Sequence, residues 1–138
     1  MNQEIWAVEF RKYSKSTMTE RETQKHVFNF CKTLLKISDV NKNEKIYYSI
    51  EPDKIRGKYH AHITTVVSLQ AIKTTAELIL KGSEWLREDL PADVYSNSIA
   101  VLRTSYGEAR IHIVPFLEGW LKYCNKLVNL NYYLPLSQ

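Results

Sequence analysis

The segment "KIYYSIEPDKIRGKYHAHITTVV", Lys45 to Val67, constrains this chain more than any other. Two runs rich in Tyr, Ile, Thr and Val flank "PDKIRG", in which Pro52, Asp53 and Gly57 supply the backbone angles of a turn. Such runs read as strands, and a connection this short joins neighbouring strands only in antiparallel fashion. An antiparallel hairpin is therefore expected here.

The flanking sequence repeats the theme. "EIWAVEF", residues 4–10, mixes alternation with aromatic and branched side chains and reads as a first strand. Thr19 opens "TERETQKHVFNFCKTLLKI" with Glu22 three places on, a capping-box pattern, and Val27, Phe30, Cys31, Leu34 and Leu35 follow at helical spacing. A second helix is expected over "LQAIKTTAELILKG", with Gly82 placed to stop it. "SEWLREDLPADVYSNS" reads as a helical turn and a loop. Two further strands, "SIAVLRT" and "ARIHIV", flank "SYGE", and Pro115 starts a last helix whose apolar stripe is Leu117, Trp120, Leu121, Cys124 and Val128. The order β-α-β-β-α-β-β-α predicts an α+β fold: one mainly antiparallel sheet with helices packed against it.

A chain of 138 residues has room for one domain with a real core, and neither a repeat nor a linker divides it, so residues 1–138 read as a single unit. Nineteen Lys and Arg against fifteen Asp and Glu, a net charge of +4, is compatible with a polyanionic partner without requiring one. Cys31 and Cys124 lie far apart within apolar helical patterns, which favours reduced buried thiols and excludes a zinc-type cysteine pair. There is no signal-peptide pattern, and no stretch nears the roughly 18 apolar residues of a membrane span. A soluble intracellular protein is expected.

Within the second arm of the hairpin, His60 and His62 are two residues apart and project from one face of the strand, while Ala61 points the other way. A turn across residues 53–57 places Glu51 on the neighbouring strand, close to Lys58 through His60. Two imidazoles and a carboxylate suit a divalent cation that must also accept substrate oxygens. Solvated or hydrogen-bonded histidines are the plainer alternative.

On the last helix, Tyr123 and Lys126 in "YCNK" lie on one face, at the edge of the apolar stripe, with Gly119 one turn back. A phenol, with a pKa of about 10, needs a nearby cation to attack a phosphodiester at neutral pH. One tyrosine among nine is by itself more often ordinary packing than catalysis.

Together, Glu51, "HAH" at His60 to His62 and "YCNK" at Tyr123 to Lys126 resemble the HUH endonucleases, and among them the replication initiator (Rep) proteins of small viruses and plasmids that replicate by a rolling circle. The resemblance spans roughly residues 4–128 in order, spacing and predicted secondary structure. It implies a five-stranded antiparallel sheet related to RNA-recognition folds, with helices covering one face. It implies a Mn2+ or Mg2+ ion held by His60, His62 and Glu51, Tyr123 as the nucleophile on single-stranded DNA, Lys126 as its positioning lysine, and a 5′-phosphotyrosine intermediate that allows nicking and rejoining without ATP. The implied partners are origin DNA, for example a stem-loop, a host or viral polymerase and helicase, and a second copy of the chain; the implied setting is the host cytoplasm or nucleus. The family's first motif, which would fall near "VEFRKYS", is matched only loosely, by Phe10.

Cations placed to meet DNA phosphates are Lys54, Arg56 and Lys58 in the hairpin loop and Arg11 and Lys12 after the first strand. Trp6, Tyr47, Tyr48 and Tyr59 are candidates for base stacking or, equally in strands, for the core. Three rival readings differ in testable ways. A phosphoesterase with two His-x-Thr motifs would find "HIT" at His62 but only "HIV" at His112. A single-strand transposase of the same superfamily generally continues differently after the tyrosine. A non-catalytic RRM-like module would display exposed aromatics and bind without metal, and no RNP-like run occurs here. The four glycines are scattered, which leaves no phosphate-binding loop and hence no helicase within these residues.

Overall fold

The computed structural model describes residues 4–13, 18–38, 46–54, 57–86, 97–114, 117–127 and 130–133. They form strands β1 (Glu4–Lys12), β2 (Ile46–Pro52), β3 (Tyr59–Val67), β4 (Trp85–Leu86), β5 (Asn97–Thr104), β6 (Gly107–Ile113) and β7 (Asn131–Tyr133), and helices α1 (Glu20–Ile37), α2 (Leu69–Leu80) and α3 (Leu117–Leu127). All strands join one antiparallel sheet in the order β4-β5-β6-β1-β3-β2-β7.

The fold is thus α+β with an antiparallel sheet, but the sheet has seven strands rather than five. The five strands legible as patterned runs occupy the contiguous centre; β4 and β7 are edge additions of two and three residues, too short to carry a periodicity. At the start of "SEWLREDLPADVYSNS", read as a helical turn and a loop, the described residues hold β4: Trp85 pairs with Leu102 on β5 and its indole N–H donates to Glu77 at 2.7 Å, while residues 87–96 lie outside the described residues.

Alternation along the strands divides the side chains between two layers. Trp6, Val8 and Phe10 of β1, Tyr48 and Ile50 of β2 and Ala61, Ile63 and Val67 of β3 pack with Val27, Phe30 and Leu34 of α1 and Ile72, Ala76 and Leu80 of α2 as the main core. Phe10 and Phe30 meet ring to ring at 5.0 Å. The other sheet face carries a smaller core in which Ala7 and Val114 lie under Trp120 and Cys124 of α3. The helices therefore cover both faces, α1 and α2 one, α3 part of the other. Both cysteines are buried and free. No helix among the described residues is long and apolar enough to cross a membrane.

Local chemistry sets the element ends. Thr19 and Glu22 form the capping box, with Glu22 N–H to Thr19 Oγ1 at 3.0 Å and Thr19 N–H to Glu22 Oε1 at 3.2 Å. α2 starts on Ser68, whose hydroxyl accepts from Ala71 N–H, and it stops one residue before Gly82: Lys81 itself takes the left-handed conformation, φ 53°. The β5–β6 turn needs Gly107, with φ 150°, because a Cβ there would lie 2.1 Å from the carbonyl oxygen of Arg11.

A candidate metal centre and its neighbouring tyrosine

The β2–β3 hairpin closes where the turn chemistry places it: Asp53 N–H donates to Lys58 C=O at 2.9 Å and Glu51 stands directly opposite His60. In the same register His62 faces Ser49 on β2 and Glu9 on β1. Directly paired residues share a face, so Glu9, Glu51, His60 and His62 project together on the α3 side of the sheet, just beyond the area α3 covers.

The four side chains converge. Glu51 Oε2 is 2.9 Å from His62 Nε2 and 3.5 Å from His60 Nε2. Ligand atoms of Glu9, His60 and His62 all lie within 4.8 Å of one another. His60 Nδ1 donates to Asp53 Oδ1, and Arg11 binds both oxygens of that aspartate, Nε to Oδ2 at 3.3 Å and Nη2 to Oδ1 at 3.2 Å. With Nδ1 committed to a carboxylate, Nε2 is the nitrogen His60 has left for another partner, the device by which proteins orient metal-binding imidazoles. His62 Nδ1 is buried with no hydrogen-bond partner among the described residues.

Both glutamates are held ionised. For Glu51 the hydrogen bond from His62 is the main cause and lowers the carboxyl pKa, against burial and the negative charge of Glu9, with the charges of both histidines adding to it. For Glu9 burial works in the opposite sense and is individually the largest influence, but the bond and charge of Arg11, with His62 and His60, outweigh it and the pKa falls. Among the described residues, Glu9, His60 and His62 make the grouping whose ligand atoms are close enough to share one ion; Glu51 lies beside it, hydrogen-bonded to His62.

α3 brings the tyrosine to this face. Trp120 is buried beside the histidines: its indole N–H donates to Thr64 Oγ1 at 2.7 Å and its ring meets His62 edge-on at 5.8 Å. Tyr123 stacks on Trp120 at 5.7 Å and is 37 % exposed. Next to it, Cys124 faces inward; burial, with the charge of Glu51, pushes its thiol up to about 12. Such a thiol stays protonated and packs as an apolar residue. Lys126 lies on α3 one turn beyond Tyr123, and its side chain is outside the described residues.

The cations proposed for DNA separate. Lys54 is exposed in the hairpin loop, Lys58 lies over the Tyr13 ring at 5.5 Å, and Arg56 falls outside the described residues. Arg11 is on the histidine face but engaged with Glu9 and Asp53. Lys12 points to the opposite face, where its ammonium caps Ile79 C=O at 2.9 Å. Of the four aromatics, Trp6 and Tyr48 are buried in the main core, Tyr59 packs against it, and Tyr47 pairs with Tyr132 on the histidine face.

Sequence reasoning missed Glu9, Asp53, Trp120 and Arg110 as members of this face. Asp53 reads as a turn former and Trp120 as stripe. Glu9 and Arg110 are polar positions of alternating strands, and only the pairing Arg110–Glu9–His62 across three strands brings them together. The parity of "AVEFR" was the available signal: Glu9 and Arg11 share a face opposite to Val8 and Phe10. No family model matches this chain, and no curated protein or solved structure matches it.

Proposed function

We propose that the protein is a metal-dependent single-strand DNA endonuclease of the HUH type, which nicks and rejoins DNA through a 5′-phosphotyrosine link to start rolling-circle replication. The observation that carries this reading is the convergence of His60, His62 and Glu51 on a sheet face where Trp120 meets both His62 and Tyr123 ring to ring.

In this reading His60, His62 and Glu51 hold Mn2+ or Mg2+, which when bound supplies Lewis-acid polarisation of the scissile phosphate. The Tyr123 oxygen attacks phosphorus, a P–Oη bond forms, the P–O3′ bond breaks, and the released 3′-oxygen takes up a proton to become a hydroxyl that a polymerase can extend. Lys126, one helical turn on, favours the phenolate and steadies phosphate charge. Attack of a 3′-hydroxyl on the phosphotyrosine reverses the step and rejoins the strand. Arg103 and Arg110, paired across β5 and β6 with Glu108, lie on the histidine face and extend it towards one sheet edge as a surface for the phosphate backbone. Placement beside RNA-recognition folds, action inside the host cell and assembly with a second copy belong to the same proposal.

The test is cleavage of a pool of single-stranded oligonucleotides, stem-loops included, labelled at either end. The reading requires nicking with Mn2+ that stops with EDTA, and a labelled 3′-side fragment that remains on the protein in denaturing gels. Binding to single strands without cleavage under any metal would instead indicate a binding module.

A further inference from the structure

The β1 carboxylate is the feature of this face that the proposed chemistry leaves unused. Glu9 is half-buried, stands opposite His62 in the β1–β3 pairing, and has a ligand oxygen within 4.8 Å of donor nitrogens on both histidines. Burial of a carboxylate costs free energy, and here Arg11 offsets it: Nη1 binds Glu9 Oε2 at 2.6 Å. Since a carboxylate has two oxygens, that contact leaves one for another partner.

Arg11 reaches further than Glu9. The same guanidinium grips Asp53, and Asp53 accepts the Nδ1 proton of His60. Glu9, Arg11, Asp53 and His60 thus form a chain of charge-assisted contacts that starts and ends on groups facing the same point. A guanidinium fits this task because its planar fork binds two carboxylates at once, which an ammonium of equal charge does not do with fixed geometry. Half-buried on the sheet face between those carboxylates, it is an outer-sphere clamp rather than a free phosphate contact.

We infer that Glu9 is a fourth protein donor to the divalent ion, alongside His60, His62 and Glu51, and that Arg11 is the positioning residue that sets both Glu9 and, through Asp53, His60. The inference rests on the metal reading of the site. Its chemical consequence is charge: two carboxylates neutralise a divalent ion, so the loaded centre is neutral and binds substrate phosphate less by net attraction than by coordination.

Mn2+ binding to the metal-free protein, followed by calorimetry and by electron paramagnetic resonance, separates the possibilities without any nuclease assay. Glu51→Gln and His62→Ala weaken Mn2+ binding if the metal reading holds. The inference then requires Glu9→Gln to weaken it at least tenfold and to add a bound water to the ion, seen as increased water-proton relaxation; Arg11→Lys, which keeps the charge and loses the fork, weakens it about tenfold. Glu9→Gln within twofold of wild type, with Glu51→Gln impaired, overturns the fourth donor and leaves the three-residue site standing. Wild-type protein that binds no Mn2+ overturns both. If Glu9→Gln fails to fold, wild-type protein carrying 13C-carboxyl glutamate answers the question: hyperfine coupling of bound Mn2+ to two glutamate carboxylates supports the assignment, and coupling to one overturns it.

Discussion

His60 and His62 sit two residues apart on one strand, yet the protein holds them differently: His60 is tethered at Nδ1 by Asp53, whereas the Nδ1 of His62 is buried without a hydrogen-bond partner among the described residues. Orientation of His60 therefore depends on one aspartate. Replacing Asp53 by Asn removes the charge that Arg11 and the imidazole share, and Mn2+ affinity is expected to fall by about tenfold in calorimetry. Cleavage should fall with it at limiting metal and recover when metal is saturating; no change in affinity would show that Asp53 matters only to the turn. At this scale the sequence was legible where one strand or one hairpin held the information. The spacing of "HAH" fixes a shared face, and "PDKIRG" brings Glu51 opposite His60. Glu9 was not legible, because its place beside His62, 53 residues further along the chain, depends on how β1 registers against β3.

The elements explain how the tyrosine comes to lie one ring away from His62, across Trp120. α3 lies on the sheet face opposite α1 and α2 because its buried stripe, Trp120 and Cys124, matches the small surface of Ala7 and Val114. Trp120 is the link, bonded to Thr64 on β3, edge-on to His62 and stacked on Tyr123. Trp120→Leu removes the plate that supports the phenol ring, and on the proposed reading phosphotyrosine formation at saturating metal and DNA slows by on the order of tenfold or more. Trp120→Phe retains a ring and should lose less; equal rates for wild type and Trp120→Leu would detach the tryptophan from the chemistry. The β5–β6 turn makes a separate demand. An alanine at Gly107 meets the Arg11 carbonyl at 2.1 Å and an unfavourable φ, so Gly107→Ala should cost about 3 kcal/mol or more in urea unfolding. The helices and long strands were visible as periodicities, and α1 down to its capping box. β4 and β7 were not, since an edge strand of two or three residues is defined by the backbone groups its neighbour leaves unpaired rather than by its own pattern.

For the molecule as a whole, the charged sheet face is coupled to folding through its ionised carboxylates. In the metal-free protein Glu9 and Glu51 have folded-state pKa values below the ordinary carboxylate value of 4.5. Their ionised forms thus stabilise the fold above that value, and the contribution is lost as pH falls further through the lowered folded-state values. Urea unfolding of metal-free wild type should accordingly show a decline in stability below about pH 4.5 that is shallower in Glu51→Gln; parallel profiles would mean that the face is decoupled from folding. The α+β class and the antiparallel sheet were readable from alternation and turn chemistry, whereas the resemblance implied helices on one face and the structure has them on both, with the α3 tryptophan bonded to Thr64 on the second face. The central claim is that Tyr123 forms a covalent bond to DNA at this face. The most direct measurement is mass spectrometry of peptides from protein incubated with Mn2+ and single-stranded oligonucleotides and then trimmed with nuclease. The account predicts a nucleotide 5′-phosphate on Tyr123, absent with EDTA and in Tyr123→Phe; cleaved DNA with no nucleotide on the protein, or one on a different tyrosine, would contradict it.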